Sequence, residues 1–435
     1  MIRLSLRALL AWVTLATPSS VCAAEPVPSP LTLDAAVQVA ARHLPALRRV
    51  AAETRAAEAR VDQATAPSRP QVSARAGYGR ATSNATRGFL GAAPPEPTLD
   101  TTGELSASLT ASQLLYDFGR VEGRARSADA AVVAQQATAQ ATERQAVLEV
   151  RSAFIDARAQ AAFLAVAQET ASDRERHVQR VEAFVTAGTR PPIDIVQARA
   201  DLADARVQLV EAENALATAR VRLDLSMGLV APSPYLLADD APAALPEEDL
   251  APGALLERAV EVSAEARTLD AQLAAARASQ DAARADYSPA LSAQAQVDDR
   301  GPDPSALVWN LSAGVTLTWP IYEGGVTDAQ VREADARVVA ASAALEATRQ
   351  RVRWTVEQAR LGIRSGRASV AAADEALKFA RERLTLAERR YTEGVGNAIE
   401  LSDAQLAHAR AGAQRVRAER DLAVARARLL DALGR

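Results

Sequence analysis

Apolar residues recur along the chain at two periods, and the order in which those periods alternate occurs twice. A helical stretch over 32–66 ends before a proline-headed segment in which Val72, Ala74, Ala76 and Tyr78 alternate with Ser73, Arg75 and Gly77. Leu105, Ala107, Leu109 and Ala111 then alternate with Ser106, Ser108 and Thr110. A period of two puts each set of side chains on its own face of a strand. From about Arg120 to Thr186 the period is helical again and no proline interrupts it; a break at 187–192 leads into a further helix. The second half repeats the order: helical 253–286, then Leu291, Ala293, Ala295 and Val297. Next come Trp309, Leu311, Ala313, Val315, Leu317 and Trp319 interleaved with Asn310, Ser312, Gly314, Thr316 and Thr318. A proline-free helical run from about Val326 to Thr392 follows, then a break at 393–397 and a last helix.

Self-alignment turns this likeness into a duplication. At an offset of 206 residues, Leu105 to Gly228 matches Leu311 to Gly434 without a gap. Residues 105–132 agree with 311–338 at 11 of 28 positions, including Tyr116 with Tyr322 and Gly119 with Gly325. Gly228 and Gly434 end the match as helix C-caps. The chain divides into residues 25–230 as a first copy, 231–253 as a Pro- and acid-rich connection, and 254–435 as a second copy. Asp239, Asp240, Glu247, Glu248 and Asp249 in the connection read as a solvated charge run, and Ala81 to Gly103 as a long surface loop in the first copy.

The dimensions of these elements limit the fold. A helix of almost seventy residues is about 100 Å long, which no globular domain requires. Along it Val147, Val150, Phe154, Ala157, Ala161 and Leu164 step by three and four, as do Leu202, Ala205, Leu209, Ala212, Leu216, Ala219 and Leu223 in the returning helix. That is coiled-coil spacing, and Ala alternating with Leu suits closely approaching helices. The strand from Trp309 to Trp319 has one apolar face with Trp at both ends. Ten residues at about 3.4 Å, tilted about 40°, span roughly 25 Å, the apolar height of a transmembrane barrel, with the two tryptophans at the interfaces.

Composition narrows the picture further. The chain has 435 residues, 49% hydrophobic but only 4% aromatic, with about a hundred alanines. Such a chain lacks the large side chains of a thick core and points away from an ordinary α/β enzyme. Fifty basic residues against 54 acidic ones are interspersed and leave a formal charge of −4, so no nucleic-acid footprint is present. Residues 1–24, with Arg3, Arg7, an apolar run and Val21-Cys22-Ala23-Ala24, read as a secretory signal. A lipid anchor on Cys22, the sole cysteine, is the alternative, which Ser19 and Val21 fit poorly. No later stretch is apolar over the roughly 18 residues a membrane helix needs, so a membrane span must be a closed β-barrel. His43, His177 and His408 are scattered, and no phosphate loop, HExxH or CxxC occurs. Neither a catalytic group, a metal site nor a cofactor is expected.

The order helix, strand, strand, very long helix, turn, helix, duplicated behind a signal peptide, resembles the TolC-like outer-membrane efflux protein family. Ser112-Gln113-Leu114-Leu115-Tyr116-Asp117-Phe118-Gly119-Arg120 resembles its strand-to-helix corner, and Thr318-Trp319-Pro320-Ile321-Tyr322-Glu323-Gly324-Gly325 its second copy. Tyr391-Thr392-Glu393-Gly394 resembles its periplasmic tip. The resemblance implies an α+β membrane protein: a homotrimer in which each protomer gives four strands to one transmembrane β-barrel in outer-membrane lipid. A coiled-coil α-helical tunnel continues the barrel through the periplasm. It further implies a passive exit duct for a tripartite efflux pump or type I secretion system, partnered by a periplasmic adaptor (membrane fusion) protein and an inner-membrane pump of RND or ABC type. By the same resemblance Glu400 and Asp403 form an acidic ring at the gate. Tyr391, Asp194 and Arg190 form a latch, with Arg190 taking over from the arginine that relatives carry where this chain has Gly396. Gly188, Thr189, Gly394 and Val395 form the adaptor-docking tips. The rival reading is a periplasmic coiled-coil structural or adaptor protein without a pore.

Overall fold

The computed structural model describes residues 28–82, 99–230, 234–239, 244–249 and 252–435. The signal segment with Cys22, most of the loop after the first strand and part of the connection lie outside the described residues. The elements are α1 (Leu33–His43), α2 (Pro45–Thr65), β1 (Gln71–Thr82), β2 (Thr101–Tyr116), α3 (Arg120–Thr186) and α4 (Ile193–Ser226). The second half holds α5 (Pro252–Val262), α6 (Ala264–Ala285), β3 (Ala290–Gly301), β4 (Val308–Thr318), α7 (Val326–Thr392) and α8 (Ala398–Ala432). Both α3 and α7 have 67 residues.

Local chemistry sets these boundaries. Gly119 and Gly325 precede the long helices at φ 88° and 82°, a left-handed backbone that favours glycine. At the first corner the Asp117 carboxylate accepts the Gly119 and Val121 N–H groups at 3.2 and 2.7 Å, satisfying donors a helix start leaves free. The stretches 32–66 and 253–286 are each two helices rather than one. Leu44 is extended ahead of Pro45, because the proline ring crowds a helical residue before it. Ser263 is also extended and its hydroxyl caps α6 through the Ala266 N–H at 3.2 Å.

The four strands form one antiparallel sheet in the order β1-β2-β3-β4. Its register sorts most side chains by face, with Gln113 and Asp299 falling on the apolar face and Val308 on the polar one. Val72, Ala74, Ala76 and Tyr78 pair with Ala111, Leu109, Ala107 and Leu105, and β2 passes the same face to Ala295 and Val297, and β3 to Ala313 and Leu311. The opposite face carries Ser73, Arg75, Ser106, Ser108, Thr110, Gln294, Gln296, Asp298, Asn310 and Ser312. Strands β1 and β4 are exposed along their whole length.

The helices extend from this sheet in a layer with the same open edges. Near the sheet α2 packs on α3, α3 on α6 and α6 on α7; farther away α4 packs on α3, α3 on α8 and α8 on α7. The cores are thin. One joins Leu31, Val150, Phe154, Ala157, Leu223 and Met227, and another Leu255, Val356, Ile363 and Leu429.

The connection departs from the solvated charge run its composition suggests. The Glu248 carboxylate is fully buried, paired with Arg367 and with Arg426 at 2.8 Å, and accepts the Leu245 N–H at 2.9 Å. Asp239 is exposed and pairs with Arg158 at 3.3 Å. Asp240 and the side chains of Glu247 and Asp249 lie outside the described residues. An acid strung over arginine-rich helices is drawn between two arginines, one on each carboxylate oxygen, and such burial is worthwhile only with partners in place.

Candidate functional site

Two regions combine exposed chemistry with unusual geometry: the polar face of the sheet, and the far tip where α3 turns into α4 and α7 into α8. On the sheet, Arg75, Glu104, Asp298 and Arg300 border a concave space of about 770 Å³. Arg300 and Asp298 approach to 3.5 Å. The opposite face is apolar and uncovered: Leu311, Val315 and Leu317 are 60–63% exposed, and Trp309 and Trp319 flank them at 71% and 60%. The Trp319 indole donates to the Tyr287 carbonyl at 3.1 Å. The sheet is polar on one face and largely apolar on the other, the two-faced pattern that a barrel wall in lipid requires. Its two edges have no strand beside them among the described residues.

At the tip, Val178, Val181, Ala198, Ala387, Tyr391, Leu401 and Ala404 form an apolar cluster drawn from all four helices. Of the residues implicated by sequence, Tyr391, Arg190 and Asp194 come together. The Arg190 guanidinium lies 4.4 Å from the Tyr391 ring centroid and donates to the carbonyls of Tyr391 and Gly396 at 2.9 and 3.0 Å. An arginine of the first hairpin therefore reaches into the second, by cation–π contact as well as hydrogen bonds. Gly396 suits this arrangement: a Cβ there would stand 3.1 Å from the Arg390 and Tyr391 backbone. The Tyr391 hydroxyl is buried with no hydrogen-bond partner. Burial first, and the nearby Asp194 charge second, push its pKa up.

Glu400 and Asp403 sit in the first turns of α8. Glu400 pairs with Arg390 at 3.0 Å, and its N–H is capped by the Asn397 side chain at 2.7 Å. Asp403 is exposed. A single chain thus has one acid neutralised and one facing solvent, and an acid in a first turn is also favoured by the helix dipole. Gly188 and Gly394 take φ 72° and 79° at the two hairpin turns, Thr189 folds its hydroxyl onto the Phe184 carbonyl at 2.8 Å, and Val395 is 70% exposed.

Behind Tyr391 and Arg190 lies chemistry that no motif announces. His177 is 3% exposed, stands edge-on to Tyr391 at 5.6 Å, and leaves Nδ1 without a partner. Burial, followed by the positive charges of Arg180 and Arg174, depresses its pKa to about 4, while Asp201 opposes the shift. The unfolded chain then binds a proton near pH 6.5 that the folded tip refuses until about pH 4, so stability falls as pH drops through that window. The thermal midpoint of wild type is expected to decline more steeply from pH 7 to 4.5 than that of His177→Gln; equal slopes would contradict a buried neutral imidazole. Arg174, Asp201, Ser402 and Gln405 form a hydrogen-bonded cluster one turn away. Their only sequence signal is that Arg174 lies on the same inward line as Val178 and Val181.

The outer membrane efflux protein family model matches residues 36–229 and 255–435. Among solved structures, a membrane protein from Pseudomonas aeruginosa superposes with a TM-score of 0.81 at 25% identity, covering 92% of this chain and 90% of that one. VceC from Vibrio cholerae gives 0.78 at 17% identity over 92% and 96% of the two chains. The open state of MtrE, an outer-membrane channel of Neisseria gonorrhoeae, gives 0.74 at 21% identity over 92% and 88%. No curated protein matches the sequence.

Proposed function

The chain belongs to the outer membrane efflux protein family, and on that premise we propose that three copies assemble into a passive exit duct. Twelve-residue-scale strands of each copy contribute to one shared barrel in outer-membrane lipid, and the helices form a tunnel in the periplasm. Each copy is two versions of one unit, residues 25–230 and 254–435 joined by 231–253, a division supported by the matched lengths of α3 and α7. Residues 1–24 direct export.

The observation that carries the assembly is the pairing of open edges. The sheet ends at β1 and β4, and the helical layer ends at α2 and α4 on one side and α7 on the other. Unpaired strand edges are not tolerated in lipid, so the β1 edge of one copy must meet the β4 edge of the next. The helices carry the same instruction. On α4, Ile193, Val196, Val207, Val210 and Val221 are 58–66% exposed, and on α7 Trp354, Phe379 and Leu386 are 55–62% exposed. The α4 residues follow a coiled-coil line with Ala200, Ala203 and Ala217 between them. Head-to-tail contact of unlike edges generates a ring.

Cargo moves through the polar interior of the sheet and between the helices, and the protein itself performs no chemistry. Its energy source is an inner-membrane pump, of the RND or ABC type, reached through a periplasmic adaptor that docks on Gly188, Thr189, Gly394 and Val395. The tip is the gate. Tyr391, Asp194 and Arg190 latch the two hairpins, and Glu400 and Asp403 from each copy converge on one constriction that attracts cations. Trp309 and Trp319 mark the membrane interfaces. A periplasmic coiled-coil protein without a pore leaves the uncovered apolar face of the sheet without a purpose.

The Glu400→Ala/Asp403→Ala variant tests the gate. In planar bilayers its conductance is expected to exceed wild type severalfold and to lose block by divalent cations. Unchanged block and conductance would remove these acids from the gate while leaving the duct in place.

A further inference from the structure

The two halves of the chain coincide element by element. Helices α2 and α6 begin at Pro45 and Ala264 and strands β1 and β3 at Gln71 and Ala290, each pair 219 residues apart, while α3 and α7 begin at Arg120 and Val326, 206 apart. In a ring of copies, every contact between the halves then has an image in which the second half of one copy meets the first half of the next. The image adds 206 to a residue of α3 and subtracts 219 from one of α6, or 206 from one of α8.

The apolar contacts show that this image is meaningful. Within the chain, Leu148 and Ile155 of α3 cluster with Ala423, Val424 and Ala427 of α8. Their images are Trp354 and Leu361 on α7 and Ala217, Thr218 and Val221 on α4. Trp354, Leu361 and Val221 are 62%, 42% and 61% exposed in the single chain, yet they keep the apolar character of their counterparts.

Nearer the sheet the image changes the chemistry. Between α3 and α6, a Cβ on Gly123 would lie 2.9 Å from that of Ala282, and the hydroxyls of Ser127 and Ser279 are 2.7 Å apart. The images of these pairs are Ala329 with Gln63 and Glu333 with Arg60. Ala329, Glu333, Ala336 and Ala340 lie exposed along α7, and Ala52, Ala56, Arg60 and Gln63 along α2. Each line therefore carries one charge among small or neutral residues, and the two charges are opposite. Glu333 pairs along its own helix with Arg337, while Arg60 makes no ion pair among the described residues. The internal seam is also tied beside the sheet by Arg120 and Asp286 at 2.6 Å, whose images, Val326 and Pro67, hold no charge.

We propose that Glu333 of one copy and Arg60 of the next form an ion pair across the boundary between copies, in the place that Ser127 and Ser279 occupy between the halves. The proposal rests on the assembly reading. The pair replaces the missing Arg120–Asp286 tie and selects the partner edge. Contact of α7 with α7 of another copy would bring Glu333 toward Glu333, whereas contact with α2 brings it to a cation, so the charges favour head-to-tail closure over a two-fold dimer.

Cross-linking tests the contact. Cys22 is the sole cysteine, so in a Cys22→Ala background an engineered pair reports only its own geometry. Arg60→Cys/Glu333→Cys in detergent, treated with a short bismaleimide, is expected to shift from single chains to covalent oligomers on a denaturing gel. Ser127→Cys/Ser279→Cys should stay at single-chain size, linked within one copy. Glu58→Cys/Glu333→Cys, two residues round α2, should also stay single; equal linking of this pair would overturn the proposed register. A sedimenting oligomer that Arg60→Cys/Glu333→Cys does not link would overturn the pair and leave the assembly standing. Sedimentation of the unsubstituted protein as a monomer would reject the assembly reading, and the pair with it. Charge reversal tests the attraction. Arg60→Glu is expected to lower the oligomer yield at low salt on the order of tenfold through repulsion repeated at each boundary, and Arg60→Glu/Glu333→Arg to restore it, with the difference shrinking in molar salt. Cross-linking without that rescue would place the helices side by side and overturn the ion pair.

Discussion

Arginine in place of Val315 is expected to prevent the assembled protein from persisting in a bilayer, whereas arginine in place of the next residue, Thr316, is expected to be tolerated. Val315 pairs with Ala293 in the middle of β4 and is 63% exposed on the apolar face. Thr316 pairs with Ser292 on the polar face. In a barrel wall these neighbours face hydrocarbon and water respectively. An arginine on the lipid side near the midplane costs about 2–4 kcal/mol, and the proposed ring of three chains would incur it three times. A lumen-facing arginine is solvated and costs little. The yield of detergent-resistant oligomer after folding into lipid vesicles reads the contrast directly. Equal yields for Val315→Arg and Thr316→Arg would mean that the sheet does not separate lipid from water.

The second large effect lies on the helical layer. Val207→Glu/Val210→Glu is expected to abolish oligomer formation while leaving the helical content of the chain unchanged. Both valines point away from the protein's own core, 58% and 64% exposed, on the edge helix α4. Their exposure is that of a coiled-coil seam missing its second helix. If α7 of a neighbouring copy fills that seam, each interface must bury two unpaired carboxylates, at several kcal/mol each. Gln208→Glu, on the same turn, exposed and off the seam, provides the control. Sedimentation in detergent separates the outcomes: monomer for the double variant and an unchanged oligomer for the control. An oligomer that survives the double substitution would move the subunit contact off α4.

Much of this architecture is legible because it is periodic. The bounds of α3 and α7 follow from glycines at their starts and turns and from the lack of proline between, and the strands follow from strict alternation. The break at Leu44 is also written in the sequence, in Pro45, but helical spacing on both sides of it masks the signal. What periodicity conceals is the partner. It places Arg174 on an inward line without naming Asp201, Ser402 or Gln405, which lie 27, 228 and 231 residues away. It likewise gives Glu248 no reason to be buried, because Arg367 and Arg426 sit on two other helices. The Arg190–Tyr391 contact is the intermediate case. The resemblance pointed to both residues and to the missing arginine at Gly396, and only the fold places the guanidinium over the ring.

The most direct test is electrical. Purified wild-type protein, added to a planar bilayer at neutral pH and low divalent-ion concentration, is predicted to insert as discrete conducting units. Each should give one small, stable current step that micromolar-to-millimolar divalent cations block from the side of the helical tip. A correctly folded oligomer that inserts without any conductance step would contradict the account of a sheet enclosing water and helices continuing it as a duct.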